Sequence, residues 1–160
     1  KSPNRRGVEA VLRGLGGNVL SREDLLARAA KGDYKALWIV GGYPNAGWPS
    51  KELVAAAGKA ELLIVQDIFE NPLVAAARIV LPFCAWVERE GTFMNAQGLV
   101  QPFERAIRPP DGAMPDGQYL WAIAGHDGLF RAERAREMMA ASMPEFGKVH
   151  VPPEACEHQH

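Results

Sequence analysis

Three short apolar runs alternate with helix-like segments in the first half of the chain. Residues 36–40, 61–65 and 79–81 have the side chains and length of strands, and residues 51–60 and the segment opened by Asn71-Pro72 have the pattern of helices. Nearly continuous apolar strands are typical of a parallel sheet that is buried on both faces. The order strand, helix, strand, helix, strand therefore predicts an α/β fold with an open, mainly parallel sheet and flanking helices.

The segments outside this pattern predict other structures. Residues 2–17 contain several glycines and predict a loop with a short apolar piece inside it. A helix is predicted from Ser21, whose hydroxyl can cap the first free amides, to Gly32. Two further helices are predicted at 118–124 and 128–143, after a connector that is rich in proline and glycine.

A hairpin is predicted after the third strand, because two short extended arms flank a turn at residues 95–98 (Asn-Ala-Gln-Gly). With the two helices that follow, these elements predict a hairpin and a helical C-terminal part beside the sheet. We expect an α/β domain over residues 1–125, a C-terminal helix over 126–143 and a mobile polar tail over 144–160.

The composition excludes several classes of protein. The chain has 160 residues, of which 48% are hydrophobic and 23% are charged, as in an ordinary globular domain. Its net charge of −1 argues against general nucleic-acid binding, which depends on neutralising phosphates. Cys84 and Cys156 form no C-x-x-C pair, so no iron–sulfur or structural zinc site is expected in this segment. No apolar run approaches the roughly 20 residues that span a bilayer, so we expect a cytoplasmic chain without direct membrane insertion.

Glycine and polar residues gather where the predicted strands end. Gly41-Gly42 and Asn45 follow the first strand, and Gln66-Asp67 ends the second. The carboxyl ends of parallel strands lie at one edge of a sheet, where α/β proteins bind their ligands. Glycines at that edge let a phosphate or a ring system approach the backbone, and a carboxylate there can accept hydrogen bonds from a nucleotide. The alternative is that these residues form tight turns and local caps.

The predicted hairpin adds a third polar cluster. Thr92 and Asn95 can donate and accept hydrogen bonds, and Glu88 and Glu90 precede them. An acid–base role for the two glutamates is one hypothesis, but no histidine or nucleophile accompanies them in the sequence. Contact with solvent or with a nearby arginine, such as Arg89 or Arg105, is the simpler interpretation. We therefore predict no catalytic residue.

Two other groups of residues are not expected to form a catalytic or metal site. The pair His126-Asp127 lies between glycines and predicts a turn before a helix. Cys156, His158 and His160 lie in the polar tail, where a metal site would lack the hydrogen-bonded support that holds metal ligands in place. No metal site is predicted.

Four segments in order resemble the molybdopterin oxidoreductase family. They are residues 39–45 (I-V-G-G-Y-P-N), 65–69 (V-Q-D-I-F), 77–82 (A-R-I-V-L-P) and 88–101 (E-R-E-G-T-F-M-N-A-Q-G-L-V-Q), and Asn4-Arg5-Arg6-Gly7 is similar to a further family element. Each segment alone is a weak signal, whereas their order and spacing together are specific. Within the family, the last segment looks most like the large iron–sulfur subunit of NADH–quinone oxidoreductase, followed by formate dehydrogenases.

The resemblance implies α/β domains around a pterin nucleotide that is held by loops at strand ends. It implies a C-terminal fragment of a respiratory subunit, with iron–sulfur clusters in the rest of that subunit and no cofactor in this part. The fragment would support the electron-transfer path, contact other subunits and lie at the inner membrane only through them. Residues that the resemblance places beside the nucleotide are Gly41, Gly42, Asn45, Gln66, Asp67, Thr92 and Asn95.

Three departures from the family pattern favour a vestigial pterin site. Leu99 stands where the family has arginine, Arg78 stands where it has aspartate, and Tyr43-Pro44-Asn45 replaces an Asn-Pro turn. One alternative is part of a catalytic molybdenum enzyme of the formate dehydrogenase type, which binds a molybdopterin guanine dinucleotide. A second alternative is a free-standing nucleotide-binding or protein-interaction domain.

Overall fold

The computed structural model describes residues 4–17 and 19–149 and confirms the α/β fold. The helices and strands, in chain order, are α1 (Arg5–Gly14), α2 (Arg22–Lys31), β1 (Ala36–Val40), α3 (Lys51–Ala57), β2 (Leu62–Asp67), α4 (Pro72–Ala76), β3 (Ile79–Pro82), β4 (Gly91–Met94), β5 (Val100–Phe103), α5 (Asp116–Ile123) and α6 (Ala132–Ser142). Single 3-10 turns cover Trp86–Glu88 and Pro144–Gly147. None of the helices in the described part of the chain is both long and apolar enough to cross a bilayer.

The described residues divide into two compact units. The first, here called the sheet unit, consists of Leu20–Arg89 and Ala106–His126. The second, the hairpin unit, consists of the described residues within Lys1–Val19, Glu90–Arg105 and Asp127–His160.

The sheet unit is built on three parallel strands in the order β1-β2-β3, as the alternation of strands and helices predicted. Leu63 and Val65 of the central strand are buried against Ala57 of α3 and Leu73 of α4. Burial of such side chains stabilises the fold by about 1.5–3 kcal/mol each. This core therefore holds the strands in the register that brings their carboxyl ends together.

Caps define the helices of the sheet unit. Ser21 Oγ accepts the amide of Asp24 at the start of α2, and Gly32 ends that helix with a φ of 79°. Asn71 Oδ1 accepts two amides at the start of α4. These contacts confirm the helix boundaries that the Ser and Asn-Pro signals predicted.

The prediction that β1 is buried on both faces is wrong. The exposed fractions of Trp38 and Val40 are 36% and 51%. The reason is that β1 is an edge strand whose core-facing residues, Leu37 and Ile39, pack on the α3 side, whereas Trp38 and Val40 face the other way and belong to no core cluster of the sheet unit.

The hairpin unit contains the predicted hairpin, with β4 and β5 antiparallel and Gly91 opposite Phe103. The predicted loop at residues 2–17 is wrong for most of its described part, because Arg5–Gly14 forms α1. Gly7 serves close packing there instead of a turn, since a Cβ at this position would lie 3.1 Å from the Cβ of Met94.

The C-terminal elements also differ from the prediction in extent. Helix α6 begins at Ala132, four residues after Gly128, whose φ of 78° does not fit a helix. Residues Pro144–Gly147, at the start of the predicted tail, form a 3-10 turn in which Phe146 is 4% exposed and packs in the core of the hairpin unit. The remainder of the tail, from residue 150, lies outside the described residues.

Candidate functional site

The three parallel strands of the sheet unit deliver their following residues to one edge. The amide of Gly41 donates to the carbonyl of Gln66 at 2.8 Å, and the amide of Phe83 donates to the carbonyl of Asp67 at 3.1 Å. The ends of β1, β2 and β3 are thus hydrogen-bonded side by side. This is the strand-end edge at which the sequence predicted a ligand site.

Asp67 organises this edge. Its Oδ1 accepts the amides of Gly42 at 3.0 Å and Ile68 at 2.8 Å. Its Oδ2 accepts Trp48 Nε1 and Asn71 Nδ2, both at 2.8 Å. We call these five residues the Asp67 hub. The hub joins the loop after β1, the end of β2 and the cap of α4 through one carboxylate.

Burial and hydrogen bonding act in opposite directions on the Asp67 carboxylate. Desolvation by burial is the largest single influence and raises its pKa. The four donors, Gly42, Trp48, Asn71 and Ile68, favour the charged form and together outweigh burial, so the pKa of Asp67 lies below its ordinary value. The carboxylate is therefore ionised at neutral pH, and each of its oxygens already accepts two hydrogen bonds.

The glycines at this edge make room for the protein's own side chains. A Cβ at Gly41 would lie 2.5 Å from Asp67 Oδ2, and a Cβ at Gly42 would lie 2.7 Å from the ring of Phe83. Gly42 also has a φ of 91°, which side chains other than glycine rarely adopt. The Gly-Gly pair is thus required by the fold, whether or not a ligand also approaches it.

The remaining predicted residues of the sheet unit differ in their surroundings. Asn45 Oδ1 accepts the amide of Gly47 at 2.8 Å, which closes the turn that carries Trp48. Gln66 is 1% exposed, and its Nε2 has no hydrogen-bond partner among the described residues. A buried donor without a partner is unusual in a folded protein. Gln66 is therefore the predicted site residue with a buried donor that has no partner among the described residues.

Thr92 and Asn95 belong to the hairpin unit and are described within it. Asn95 Oδ1 accepts the amides of Gln97 and Leu99 at 2.9 and 3.0 Å, which closes the turn between β4 and β5. Thr92 Oγ1 accepts a hydrogen bond from Arg136 of α6 at 3.2 Å. Both side chains thus stabilise the hairpin unit itself.

The two glutamates of the third cluster also have structural contacts. Glu88 reaches back to the amide of Ala85 at 2.8 Å. Glu90 accepts the amide of Ala132, the first residue of α6, at 2.7 Å and lies 3.5 Å from Arg131. Glu90 thus pairs with an arginine as expected, but its partner is Arg131 and not Arg89 or Arg105. Neither contact resembles an acid–base pair.

Neither His126-Asp127 nor any other group of side chains forms a metal site among the described residues. The ring of His126 stacks on that of Trp121 with 4.0 Å between their centroids, directly after α5. Cys156, His158 and His160 lie outside the described residues. Within residues 4–17 and 19–149, no three His, Cys, Asp or Glu side chains cluster closely enough to hold a metal ion.

Sequence reasoning missed the two side-chain donors of the Asp67 hub. Trp48 was not singled out, and Asn71 was interpreted only as a helix cap. Asn71 does cap α4, but its amide group also donates to Asp67. The available signal was the pairing of an aspartate with an asparagine four residues later, both beside a strand end. The indole contact of Trp48 spans 19 residues and has no local signature.

A family profile covers this edge of the sheet. The profile described as "Molybdopterin oxidoreductase" matches residues 15–126 of the chain. The chain belongs to the molybdopterin oxidoreductase family. All seven residues predicted to line a site lie inside the matched range, and so do all three strands of the sheet unit. The prediction of the family is confirmed.

Relatives within the family have diverse names. The chain is 33% identical over 137 residues to F420-dependent formate dehydrogenase 1 subunit alpha of Methanococcus maripaludis, covering 81% of this chain and 20% of the relative. It is 32% identical over 124 residues to NADPH-Fe(3+) oxidoreductase subunit alpha of Geobacter sulfurreducens, covering 74% and 15%. It is 37% identical over 86 residues to an NADH-quinone oxidoreductase subunit of Rhizobium meliloti, covering 53% and 10%.

The chain spans a fifth or less of the length of these three curated relatives. The relatives are named as subunits of different oxidoreductases, so likeness to an NADH–quinone oxidoreductase is one of several possibilities within the family.

Proposed function

We propose that this chain is a segment of a molybdopterin-oxidoreductase-like subunit of a respiratory NADH–quinone oxidoreductase, in which the pterin site is vestigial. The segment stabilises the subunit beside the electron-transfer path and catalyses no step itself. Its partners are other subunits of the same complex, which hold it at the inner membrane. The NADH-quinone oxidoreductase relative of Rhizobium meliloti supports the parent assignment.

The single observation that carries the vestigial site is the saturation of Asp67. A carboxylate that recognises a nucleotide needs a free acceptor facing the ligand. Both oxygens of Asp67 already accept two donors from its own unit. Breaking one of these bonds to admit a ligand would leave a buried or partly buried donor unpaired, at a cost of up to about 3 kcal/mol.

The other predicted side chains add little capacity for a ligand. Asn45 and Asn95 use their carbonyl oxygens to close turns, and Thr92 accepts from Arg136. The departures at Arg78 and Leu99 change two further polar positions of the family pattern. These acceptors are engaged within the chain itself, which supports a poor fit to a molybdopterin guanine dinucleotide, and no chemical step is assigned to that group.

The test is the composition of the whole subunit, purified as its gene encodes it. We expect no stoichiometric molybdenum by elemental analysis, no extractable pterin by the fluorescence of its oxidised form, and no formate-dependent reduction of an electron-accepting dye. A formate dehydrogenase alpha subunit handled in parallel is the positive control. Molybdenum and pterin near one per chain would contradict the proposal.

A second candidate is part of a catalytic enzyme of the formate dehydrogenase type. Two observations favour it: the formate dehydrogenase relative covers 81% of this chain, and Gln66 retains a buried donor without a partner among the described residues. In that case Gln66 Nε2 would donate to the bound nucleotide. Substitution Gln66→Leu, which removes the donor at similar volume, would then lower the pterin content, whereas the vestigial site predicts no pterin in either protein.

A further inference from the structure

The hairpin unit contains a cavity that plays no part in the candidate site. It has a volume of about 510 Å³ and lies between one side of α1, the β4–β5 hairpin and the 3-10 turn at Pro144–Gly147. All of its lining residues belong to the hairpin unit. Ligand pockets in proteins have volumes of about 300–1,000 Å³. The cavity is therefore large enough for a specific ligand.

The α1 wall of this cavity is a single stripe of the helix. Its residues recur every three or four positions, as one side of a helix requires, and are Arg6, Glu9, Ala10, Arg13 and Gly14. Ala10 also packs with Met94 in the apolar core of the unit, and both line the cavity between the two arginines. Arg6 and Arg13 are about 10 Å apart along the helix axis. We call this cavity the α1 groove, because it follows the helix and has charged residues at both ends.

Arg6 carries an unmatched positive charge at one end of the α1 groove. Its Nη1 donates to the carbonyl of Ala96 at 2.7 Å, and its guanidinium lies against Gly98, where an added Cβ would be 3.3 Å from Cζ. No carboxylate pairs with Arg6 in the described part of the chain. These contacts hold the guanidinium in position and leave its remaining N–H groups for a ligand.

The other end of the α1 groove carries an unmatched negative charge. Arg13 there pairs with Glu9 at 3.2 Å, so its own charge is matched within the helix. The carboxylate of Glu145 has no hydrogen bond or ion pair among residues 4–17 and 19–149. Gly14 packs on Met143, which places Glu145, two residues later in the chain, toward the C-terminal end of α1.

These charges define the ligand that the α1 groove would accept. The complementary molecule has an acidic group that faces Arg6 and a basic group that faces Glu145, with an apolar part between them. An extended polypeptide covers about 10 Å in about three residues. A short peptide segment with an acidic and a basic side chain at this spacing therefore matches the groove in length and in charge.

We propose that the α1 groove binds an extended segment of a partner subunit that carries an acidic side chain and, about three residues away, a basic one. The inference rests on the part of the proposed function that gives this chain partner subunits. It does not require a vestigial pterin site. The test below measures neither molybdenum nor pterin, so its failure is distinguishable from failure of the proposed function.

Site-directed cross-linking in the native complex tests this proposal. The photoreactive residue p-benzoylphenylalanine replaces Arg13, which lines the α1 groove and has a side chain that is 73% exposed, in the whole subunit. The matched control carries the same residue at Arg5. That position lies on the same helix, is 77% exposed and also pairs with Glu9, but it does not line the groove. After irradiation, mass spectrometry of the digested complex identifies the attached peptide.

We expect the cross-linker at position 13 to attach to one segment of another subunit, with the predicted pair of charges, and the cross-linker at position 5 not to attach to it. Arg6→Gln and Glu145→Gln should each lower the yield of this cross-link about fivefold, because each removes one partly exposed charged contact. Glu133→Gln removes an exposed charge of the same unit outside the groove and should leave the yield unchanged.

Three outcomes would overturn the proposal. A cross-link to another stretch of the same subunit would mean that the groove is an internal packing site. A cross-link to a partner that is unaffected by Arg6→Gln and Glu145→Gln would mean that the charges do not select the ligand. A yield no higher than that of the control at position 5 would mean that the groove is empty. A smaller diazirine amino acid at position 13 repeats the test if the larger side chain disturbs the fold.

Discussion

The Asp67 hub and the Asn95 turn both consist of polar side chains that follow a strand, yet their hydrogen bonds differ in reach. Asp67 binds Gly42, 25 residues earlier, and Trp48, 19 residues earlier. Asn95 binds the amides of Gln97 and Leu99, two and four residues later. The first joins separate segments of the sheet unit, whereas the second closes a single turn in the hairpin unit.

The difference follows from the type of strand. β2 is the central strand of a parallel sheet, so its end lies between the ends of β1 and β3, and one side chain there can contact loops that are distant in sequence. β4 belongs to an antiparallel hairpin, so its end leads directly into the turn to β5. Similar sequence patterns therefore contribute differently to stability, and replacing Asp67 or Asn95 should lower the free energy of unfolding by different amounts.

The largest effect is expected for Asp67→Asn. The amide keeps one acceptor but turns an NH2 group toward two donors, so hydrogen bonds to a charged group are lost and two donors that are at least partly buried are left unpaired. We expect a loss of about 3 kcal/mol in the free energy of unfolding of the sheet unit. Urea unfolding followed by tryptophan fluorescence measures this unit alone, because all the tryptophans lie in it: Trp38, Trp48, Trp86 and Trp121.

The matched control is Asp111→Asn, which removes the same charge from an exposed turn of the same unit and should change stability by about 0.5 kcal/mol or less. If Asp67→Asn were as mild as this control, the hub would be no more important than a surface charge. The proposed contrast between the two clusters would then fail.

The pH dependence of the stability difference between the wild type and Asp67→Asn tests whether the Asp67 carboxylate is ionised in the folded state. The pKa of Asp67 is lowered from an ordinary value of 3.8. The contribution of its ionised carboxylate to the free energy of unfolding is therefore complete above that value and is lost as the pH falls through the lower folded-state pKa. The stability difference between wild type and Asp67→Asn should therefore be constant near neutral pH and shrink below about pH 4. A difference that grew on acidification would contradict an ionised carboxylate in the folded state.

A smaller loss is expected for Gly41→Ala. The added Cβ would lie 2.5 Å from Asp67 Oδ2, so the carboxylate must move away from its donors, at a cost of about 2 kcal/mol. Gly58→Ala is the control, because Gly58 has helical φ and ψ and an added Cβ would come no closer than 3.4 Å to its neighbours. This control should be neutral or slightly stabilising.

A double-mutant cycle tests whether the Gly41 effect acts through the hub. Adding Gly41→Ala to Asp67→Ala should cost much less than adding it to the wild type, because the overlapping carboxylate is gone. Additive losses would mean that Gly41 is required for another reason. The comparison would then rest on Asp67 alone.

The sequence predicted the parts of this molecule that depend on local patterns. The strands at 36–40 and 79–81, the hairpin turn at Asn95 and the Asn71 cap all have short-range signals, and the structure confirms them. The failures have a common cause. Exposure of β1 and the close packing of α1 at Gly7 depend on what lies across from an element, which periodicity does not record.

The sequence predicted that Gly41 and Asp67 meet at one edge of the sheet but did not predict the hydrogen bonds of Asp67. The parallel order of strands correctly brings Gly41 and Asp67 to one edge, a consequence of topology. The partners of Asp67 were not predictable, because an aspartate that is ready for a ligand and one saturated by Trp48 and Asn71 look identical in sequence. Only the positions of the donors distinguish them.

The smallest effect is expected for Asn95→Ala. The substitution removes the acceptor of two backbone amides in a partly solvated turn, where water can replace it, so the loss should be about 1 kcal/mol and confined to the hairpin. Hydrogen exchange of the peptide covering residues 91–103, read by mass spectrometry, should become about fivefold faster. Asn45→Ala, which opens a comparable turn in the sheet unit, should leave this peptide unchanged. A loss that matched Asp67→Asn would show that Asn95 does more than close its own turn, and the distinction between a local and a long-range polar cluster would no longer hold.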